Sequence, residues 1–478
     1  MPVTSGMSVT RNRAAWGALA LLMLAYTVSF VDRAILSLLI PPIQHDLGIS
    51  DTQVSLLAGF AFAVFYTLMG IPLGRLADRW NRRNLIAIGI TTWCLMTAAC
   101  GLSRGYWQLF AARVGVGVGE AALSPAAYSM ISDLFERSQL GRAIAVYSLG
   151  LPAGSGLAML IGGMAIAAVT EWPPLVLPWF GTLLPWQVTF LLVGLPGVLV
   201  AAMILLLMQE PVRRGLTTTA ATQSVSAVPA SRPGLLTFLA CNRRVLLHHF
   251  GGLALLVIIV YGSTAWVPTY FIRCHGWTGQ AIGYAYGLIL LVFGTSGLLM
   301  GGQLADRGWR RGQTDAHLRV VLLSVATMFP CFALFALAPS ADVAIVLLAA
   351  ATFTSSLHGG VAGAALQLIT PNELRGQMTA IYFFIANLVG LGLGPTAVAL
   401  ITDYGFADPQ ALGLSIAVLA GCAGPVSSLI LVTGLAPYRA SAARLAVLTA
   451  HGEDSPPAGT ALAEGSVDVS DRSAQEDA

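Results

Sequence analysis

Twelve times between Ala14 and Leu435 the chain runs for about 20 residues or more with mostly apolar side chains. That is the length of helix needed to cross a hydrocarbon layer of about 30 Å at 1.5 Å per residue. Inside such a layer every backbone N–H and C=O must find its partner within the chain, and long runs without alternation satisfy this as helices. The runs are Ala14–Ile40, Val54–Leu73, Leu85–Leu102, Trp107–Ile131, Ile144–Val169, Pro185–Met208, Leu246–Tyr270, Ile282–Leu304, Val320–Ala338, Val343–Leu368, Met378–Ile401 and Ala411–Leu435. Charged residues are 10% of the chain and hydrophobic ones 56%, with a mean hydropathy of +0.76, against about 25% charged in a soluble domain. An all-α integral membrane protein of twelve transmembrane helices is the expectation. The first run is too long for the core of a secretory signal and carries Asp32 and Arg33, so it stays as a helix.

Arginine sets the orientation, because short basic loops remain in the cytoplasm. Arg11, Arg13, Arg75, Arg79, Arg82, Arg83, Arg137, Arg142, Arg213, Arg214, Arg232, Arg243, Arg244, Arg307, Arg310, Arg311, Arg319, Arg375, Arg439 and Arg444 fall on one side, and Arg104 and Arg273 on the other. Both termini are thus expected in the cytoplasm of a multi-pass plasma membrane protein, and the arginine-only usage points to a bacterial inner membrane. The net charge of +3 follows from this loop bias and gives no reason to invoke nucleic acid. Cys274 alone lies near the outer face, so no disulfide is expected within the chain there. The expected organisation is a cytoplasmic N-terminal tail over 1–13, a six-helix bundle over 14–208, and a cytoplasmic linker over 209–244 with a short helix near Leu235–Leu239. A second bundle over 245–436 and a disordered cytoplasmic tail over 437–478 complete it.

The two halves repeat each other. Gly74-Arg-Leu-Ala-Asp78-Arg79-Trp-Asn-Arg82-Arg83, after the second run, matches Gly302-Gln-Leu-Ala-Asp306-Arg307-Gly-Trp-Arg310-Arg311, after the eighth. A weaker echo pairs Gly141 and Tyr147 with Gly376 and Tyr382. Two pseudo-symmetric six-helix bundles joined by a linker imply a substrate site between them near the midplane, reached by rocking. This is a carrier's layout, and a monomer suffices for it. No Ser/His/Asp arrangement, metal-spaced His/Cys cluster or phosphate loop supports catalysis, so neither enzyme activity nor a cofactor or metal is expected.

The loop motif after the second run resembles the signature of the major facilitator superfamily. The resemblance implies that Gly74, Asp78, Arg79, Asp306 and Arg307 form a cytoplasmic gate, with Asp133 at the foot of the fourth helix as partner. Tyr26 followed by Asp32-Arg33, the run Arg113-Val-Gly-Val-Gly-Val-Gly-Glu120, Asp133-Leu-Phe and Pro152-Ala-Gly-Ser-Gly-Leu resemble the spinster subfamily, which includes lysolipid and sphingolipid-phosphate exporters. The Asp-Arg and Gly-x-Gly-Glu elements are also similar to small organic-anion symporters of the sialin and hexuronate type.

A charge at mid-bilayer costs about 2.5–3.5 kcal/mol or more on insertion scales, so Asp32, Arg33, Arg113 and Glu120 must pair or serve a function. Arg113 and Glu120 are two turns apart on one face of the fourth helix. The economical arrangement pairs Asp32 with Arg113 and places Arg33 near Glu120. The set is then neutral, and a proton on Glu120 leaves a positive charge for an anion at Arg33 or Arg113. The chain has no lysine, and arginine keeps its proton, so Glu120, Asp32 and His358 are the groups that can exchange one; Glu120 and Asp32 are expected to couple the proton, and His358, in the second half, to contact the substrate. Gly115 and Gly119 read as a G-x-x-x-G packing seam, with Gly117 a further small residue. Tyr261 and Tyr382 supply apolar walls from the second half. The sequence therefore predicts a proton-coupled carrier of an amphipathic anion, with a carrier of small organic anions as the alternative.

Overall fold

The computed structural model describes residues 5–178, 181–213, 234–371 and 374–453. Among them eleven helical segments are long and apolar enough to cross a membrane: Arg13–Leu47, Asp51–Arg79, Arg82–Gly101, Arg142–Glu171, Pro185–Leu207, Arg243–His275, Gly279–Arg310, Ala316–Ala336, Ala341–Leu368, Arg375–Phe406 and Pro409–Leu445. The expected fourth crossing is present in two pieces, Tyr106–Glu120 and Leu123–Leu134. Numbered with that split helix as span four, the crossings are spans one to twelve.

Pro125 accounts for the split. It has no N–H to offer the carbonyl of Ala121 four residues earlier, so the ladder lapses directly after Glu120. Ala122 instead makes a short three-residue bond of 3.4 Å to Gly119. Span ten is interrupted at the matching place. Its pieces Ala341–Ser356 and Val361–Leu368 flank His358, and Gly360 adopts a φ of 75°, open to glycine without strain. Each half thus carries one broken helix. Spans two, eight and eleven contain π-helical turns at Leu56–Phe60, Leu290–Gly294 and Ala386–Leu393. Such turns and a small hairpin, Val176–Leu177 with Gly181–Thr182, have no apolar periodicity that could announce them.

The packing is two-fold. Spans one and five, three and four, three and six, and two and four pack together in the first half. Seven and eleven, nine and ten, nine and twelve, and eight and ten do the same in the second. Between the halves, span five lies along span eight and span two along span eleven. The five–eight seam brings backbone close to backbone: a Cβ on Gly283 would sit 2.7 Å from the Met159 carbonyl oxygen and 3.0 Å from the Gly163 Cα, and one on Gly287 2.8 Å from both the Gly156 oxygen and the Leu160 side chain.

The short helix expected near Leu235–Leu239 is present as Leu235–Cys241, ahead of span seven, whereas the last helix continues to Glu453 rather than giving way to a tail at residue 437. Specific partners hold that extension. Arg439 and Arg319 both donate to Asp315, at 2.6 and 2.9 Å, Tyr438 Oη donates to the Ala365 carbonyl at 2.8 Å, and Ser441 bonds Asn242 at 3.1 Å. Most of the linker (214–233) and the rest of the tail (454–478) lie outside the described residues.

Candidate functional site

Span one crosses span four at the break. Arg33 reaches the Glu120 carboxylate with both Nε, at 3.1 Å, and Nη2. The Glu120 side chain is 1% exposed and that of Arg33 15%. Aromatic faces complete the environment of the cation: Arg33 Cζ lies 4.8 Å from the Phe30 ring, 4.4 Å from Phe62 and 5.2 Å from Tyr66, each a distance at which the ring quadrupole attracts a guanidinium.

The expected Asp32–Arg113 pair is not formed. Neighbouring residues on a helix point about 100° apart, so with Arg33 turned to span four, Asp32 turns to span three, where Cys94 Sγ donates to Oδ2 at 3.8 Å. Arg113 turns to span two. Its Nε donates to the Leu57 carbonyl at 3.3 Å and its guanidinium lies 5.7 Å from the Phe62 ring. Asp32 Oδ1, Glu120 Oε1 and both Arg113 Nη atoms are buried without a hydrogen-bond partner among the described residues.

The aromatic wall lies largely in the first half, where sequence reading did not place it. Tyr26 stacks on Tyr147 at 4.7 Å, Tyr128 meets Tyr147 edge-on at 5.4 Å, and Phe62 stacks on Tyr66 at 5.3 Å. Their sequence signal is present but faint, because Tyr26, Tyr147, Phe62 and Tyr66 stand among many other apolar residues. In the second half Tyr261 lies against Gly390 of span eleven, and Tyr382 meets Phe383 edge-on at 5.3 Å. His358 is tied to its own helix, its Nδ1 bonded to the Ser355 carbonyl.

At the arginine-rich face the signature loop is wired differently from the expectation. Asp133 pairs with Arg82 at 2.5 Å, not with Asp78 or Arg79, which are exposed. Arg82 opens span three and so lies against the foot of span four, whereas Arg79 closes span two on the outside. Arg82 Nε also reaches Glu210 at 2.8 Å, and Glu210 accepts the Arg83 backbone N–H at 2.9 Å. Arg213 caps the end of span two, donating to the carbonyls of Ala77 at 2.8 Å, Trp80 at 2.6 Å and Asp78. Gly74 lies within the last turns of span two, and Asp306 and Arg307 in the last turns of span eight, the latter two exposed. Arg82→Ala leaves two carboxylates at a site where the cation was fully buried. We expect a loss of about 3–5 kcal/mol of stability, read as a drop in unfolding temperature of the purified protein, against little change for Arg79→Ala.

The far face carries contacts that the sequence did not reveal. Arg273, at the end of span seven, grips Asp51 at the start of span two with both Nη atoms at 2.9 Å, and Gln44 at 3.0 Å. Asp403, at the end of span eleven, accepts the Thr52 backbone N–H at 2.7 Å, and Ser55 bonds Thr396 at 3.2 Å. These hydrogen bonds join the two halves on the side away from the arginine-rich loops.

Two repeated helical bundles around buried charges define a membrane carrier. The model of the Major Facilitator Superfamily matches residues 22–395, and the chain belongs to that family of transporters, which are not enzymes. It is 28% identical over 433 residues to an MFS-type efflux pump of Mycolicibacterium smegmatis, covering 89% of this chain and 94% of that one. It is 27% identical to human protein spinster homolog 1, covering 81% and 73%, and 25% identical to the hexuronate transporter of Bacillus subtilis, covering 80% and 86%. Among solved structures, a bacterial homologue of the human lysosomal transporter spinster, in an inward-facing and unoccupied conformation, shares the fold with a TM-score of 0.70 at 24% identity, over 90% of this chain and 97% of that one.

Proposed function

We propose that the chain is a proton-coupled carrier of an anionic amphiphile of lysolipid type, working by rocking of the two halves, with Glu120 as proton carrier and Arg33 as anion-binding residue. The observation that carries the reading is the Arg33–Glu120 pair inside its aromatic box. An anion that reaches the partly exposed Arg33 competes with Glu120, and a displaced buried carboxylate costs about 3–5 kcal/mol unless it is neutralised. A proton on Glu120 removes that cost, so anion and proton favour each other's binding by the same factor. The rings of Phe30, Phe62 and Tyr66 beside the cation suit a headgroup followed by an apolar chain, and Tyr261 and Tyr382 extend this wall into the second half. Asp32 remains a second acid that can share the proton.

In this reading Asp78, Arg79, Asp133, Asp306 and Arg307 serve the cytoplasmic gate, both termini face the cytoplasm of a bacterial inner membrane, and the monomer is the working unit. The likeness to hexuronate and galactonate transporters favours a second substrate class, a small organic anion. Proteoliposomes under an imposed pH gradient, offered lysolipids in one arm and small carboxylates in the other, separate the two. Gradient-driven movement of lysolipid is the expected result. Movement of the carboxylate alone assigns the second class, and indifference of both to the gradient overturns proton coupling.

A further inference from the structure

We propose that Arg113 is a positioning residue that ties the central charge cluster to the far-face contacts through the π-helical turn of span two. This goes beyond the transport reaction proposed above and does not depend on its substrate.

The route is continuous. Residues 51–55 of span two hold Arg273, Asp403 and Thr396 of the second half. The π turn Leu56–Phe60 follows at once. Widened turns of this kind interrupt the regular ladder and recur at functional sites. One side of this turn receives Arg113, through the Leu57 carbonyl. The other side is pressed on the second half: a Cβ on Gly59 would collide with the Leu391 carbonyl and lie 3.2 Å from that of Gly392, both within the π turn of span eleven. A shift of the Leu57 carbonyl therefore moves the first turn of span two against its partners.

Arg113 has a reason to shift. Both Nη atoms are fully buried and unpaired, in the same charged centre where Asp32 Oδ1 and Glu120 Oε1 are unpaired. Buried donors and acceptors are seldom left unmade, because each lost partner costs free energy. Two arrangements compete for the one guanidinium. In the arrangement seen, it supports the π turn. In the other, it swings to the carboxylates, forming the pair expected from the sequence and leaving Leu57 unsupported. What changes the charge of the centre thereby loosens the grip of Asp51 on Arg273.

Cys274 provides a native reporter. It follows Arg273, is half-buried, with Sγ toward the Gln410 carbonyl at 3.7 Å, and lines a cleft of about 300 Å³ with Tyr270, His275 and Leu414. In full-length protein in nanodiscs, with Cys241, Cys331 and Cys422 replaced by serine, the rate of Cys274 labelling by a charged maleimide measures opening of this face. Arg273→Ala and Asp51→Asn should each raise the rate several-fold, Arg113→Gln should raise it likewise, and Arg113→Gln combined with Asp51→Asn should add little to either alone. Should Arg113→Gln fail to fold, Arg113→Lys keeps a cation whose single ammonium must choose between Leu57 and the carboxylates, and a smaller rise is expected. A wild-type labelling rate in a folded Arg113 variant, with a raised rate in Arg273→Ala, overturns the proposal. An unchanged rate in Arg273→Ala overturns the far-face contacts as a latch and the proposal with them. Gradient-driven transport by Glu120→Gln tests the carrier reading separately.

Discussion

Glu120→Gln should yield a folded protein that exchanges its anion across the membrane yet no longer accumulates it on a pH gradient. Glutamine keeps the shape of the side chain and can still accept the Arg33 Nε and Nη2 hydrogen bonds on its single amide oxygen, as Glu120 does on Oε2, but it has no proton to give up. The substitution mimics the neutral, anion-ready state. Binding therefore loses the pH dependence that Glu120 confers, leaving only what Asp32 contributes, while gradient-driven uptake falls by about tenfold or more, the factor that about 1.4 kcal/mol of lost coupling represents. Counterflow and gradient-driven uptake in the same proteoliposomes check both halves of the statement. A purely structural ion pair between spans one and four predicts the opposite: less stable protein, with pH dependence intact in whatever survives. Gradient-dependent accumulation by the glutamine variant would remove Glu120 from the carrier role.

The second large effect is a ranking within Arg113-Val-Gly-Val-Gly-Val-Gly-Glu120. A Cβ on Gly117 would stand 2.6 Å from the Phe62 carbonyl oxygen and 3.3 Å from its carbonyl carbon and Cα, and one on Gly119 2.6 Å from the Trp93 backbone nitrogen and 2.9 Å from the Gly89 oxygen. Both neighbours are main chain and cannot turn aside. At Gly115 the obstruction is the Met96 side chain, which is flexible. Gly117→Ala and Gly119→Ala should each cost about 1–3 kcal/mol or more through overpacking, while Gly115→Ala should be mild. Monodisperse yield and unfolding temperature of the three variants give the order. Gly117 is thus more than a further small residue beside a Gly115–Gly119 seam: it lets span four rest on the backbone of Phe62, whose ring lies near both Arg33 and Arg113. An order in which Gly115→Ala is worst would contradict this packing.

Much of the architecture could be read in advance because lipid leaves few solutions. Apolar runs of membrane length announce the spans, and the repeated Asp78-Arg79 and Asp306-Arg307 loops announce the two halves. The Arg33–Glu120 contact also followed, from charge balance and helix geometry. The Asp32–Arg113 pair failed because periodicity gives the direction of a side chain on its own helix and says nothing of which neighbour stands there; spans two and three, with Leu57 and Cys94, claimed the two residues instead. Arg82 was hidden among arginines that positive-inside bias already explained. Asp51, Arg273 and Asp403 were invisible for a different reason: each is an ordinary loop-end charge until the fold brings residues more than 200 positions apart together. Pro125 was legible in principle, since its missing N–H predicts a lapse at Ala121, but a proline in one transmembrane helix among several draws little notice.

The close glycine seam between spans five and eight has a consequence for speed. Where Gly156, Gly163, Gly283 and Gly287 bring main chain close to main chain, the side chains seated against them are Leu291 at Gly156 and Leu160 at Gly287, so tilting one bundle over the other there disengages few side chains. Friction in the cycle is then concentrated where the polar grips between the halves, Arg273 on Asp51 and Asp403 on Thr52, must be broken and remade, so turnover should respond far more to changes there than to conservative changes in the lipid-facing bulk around the pivot.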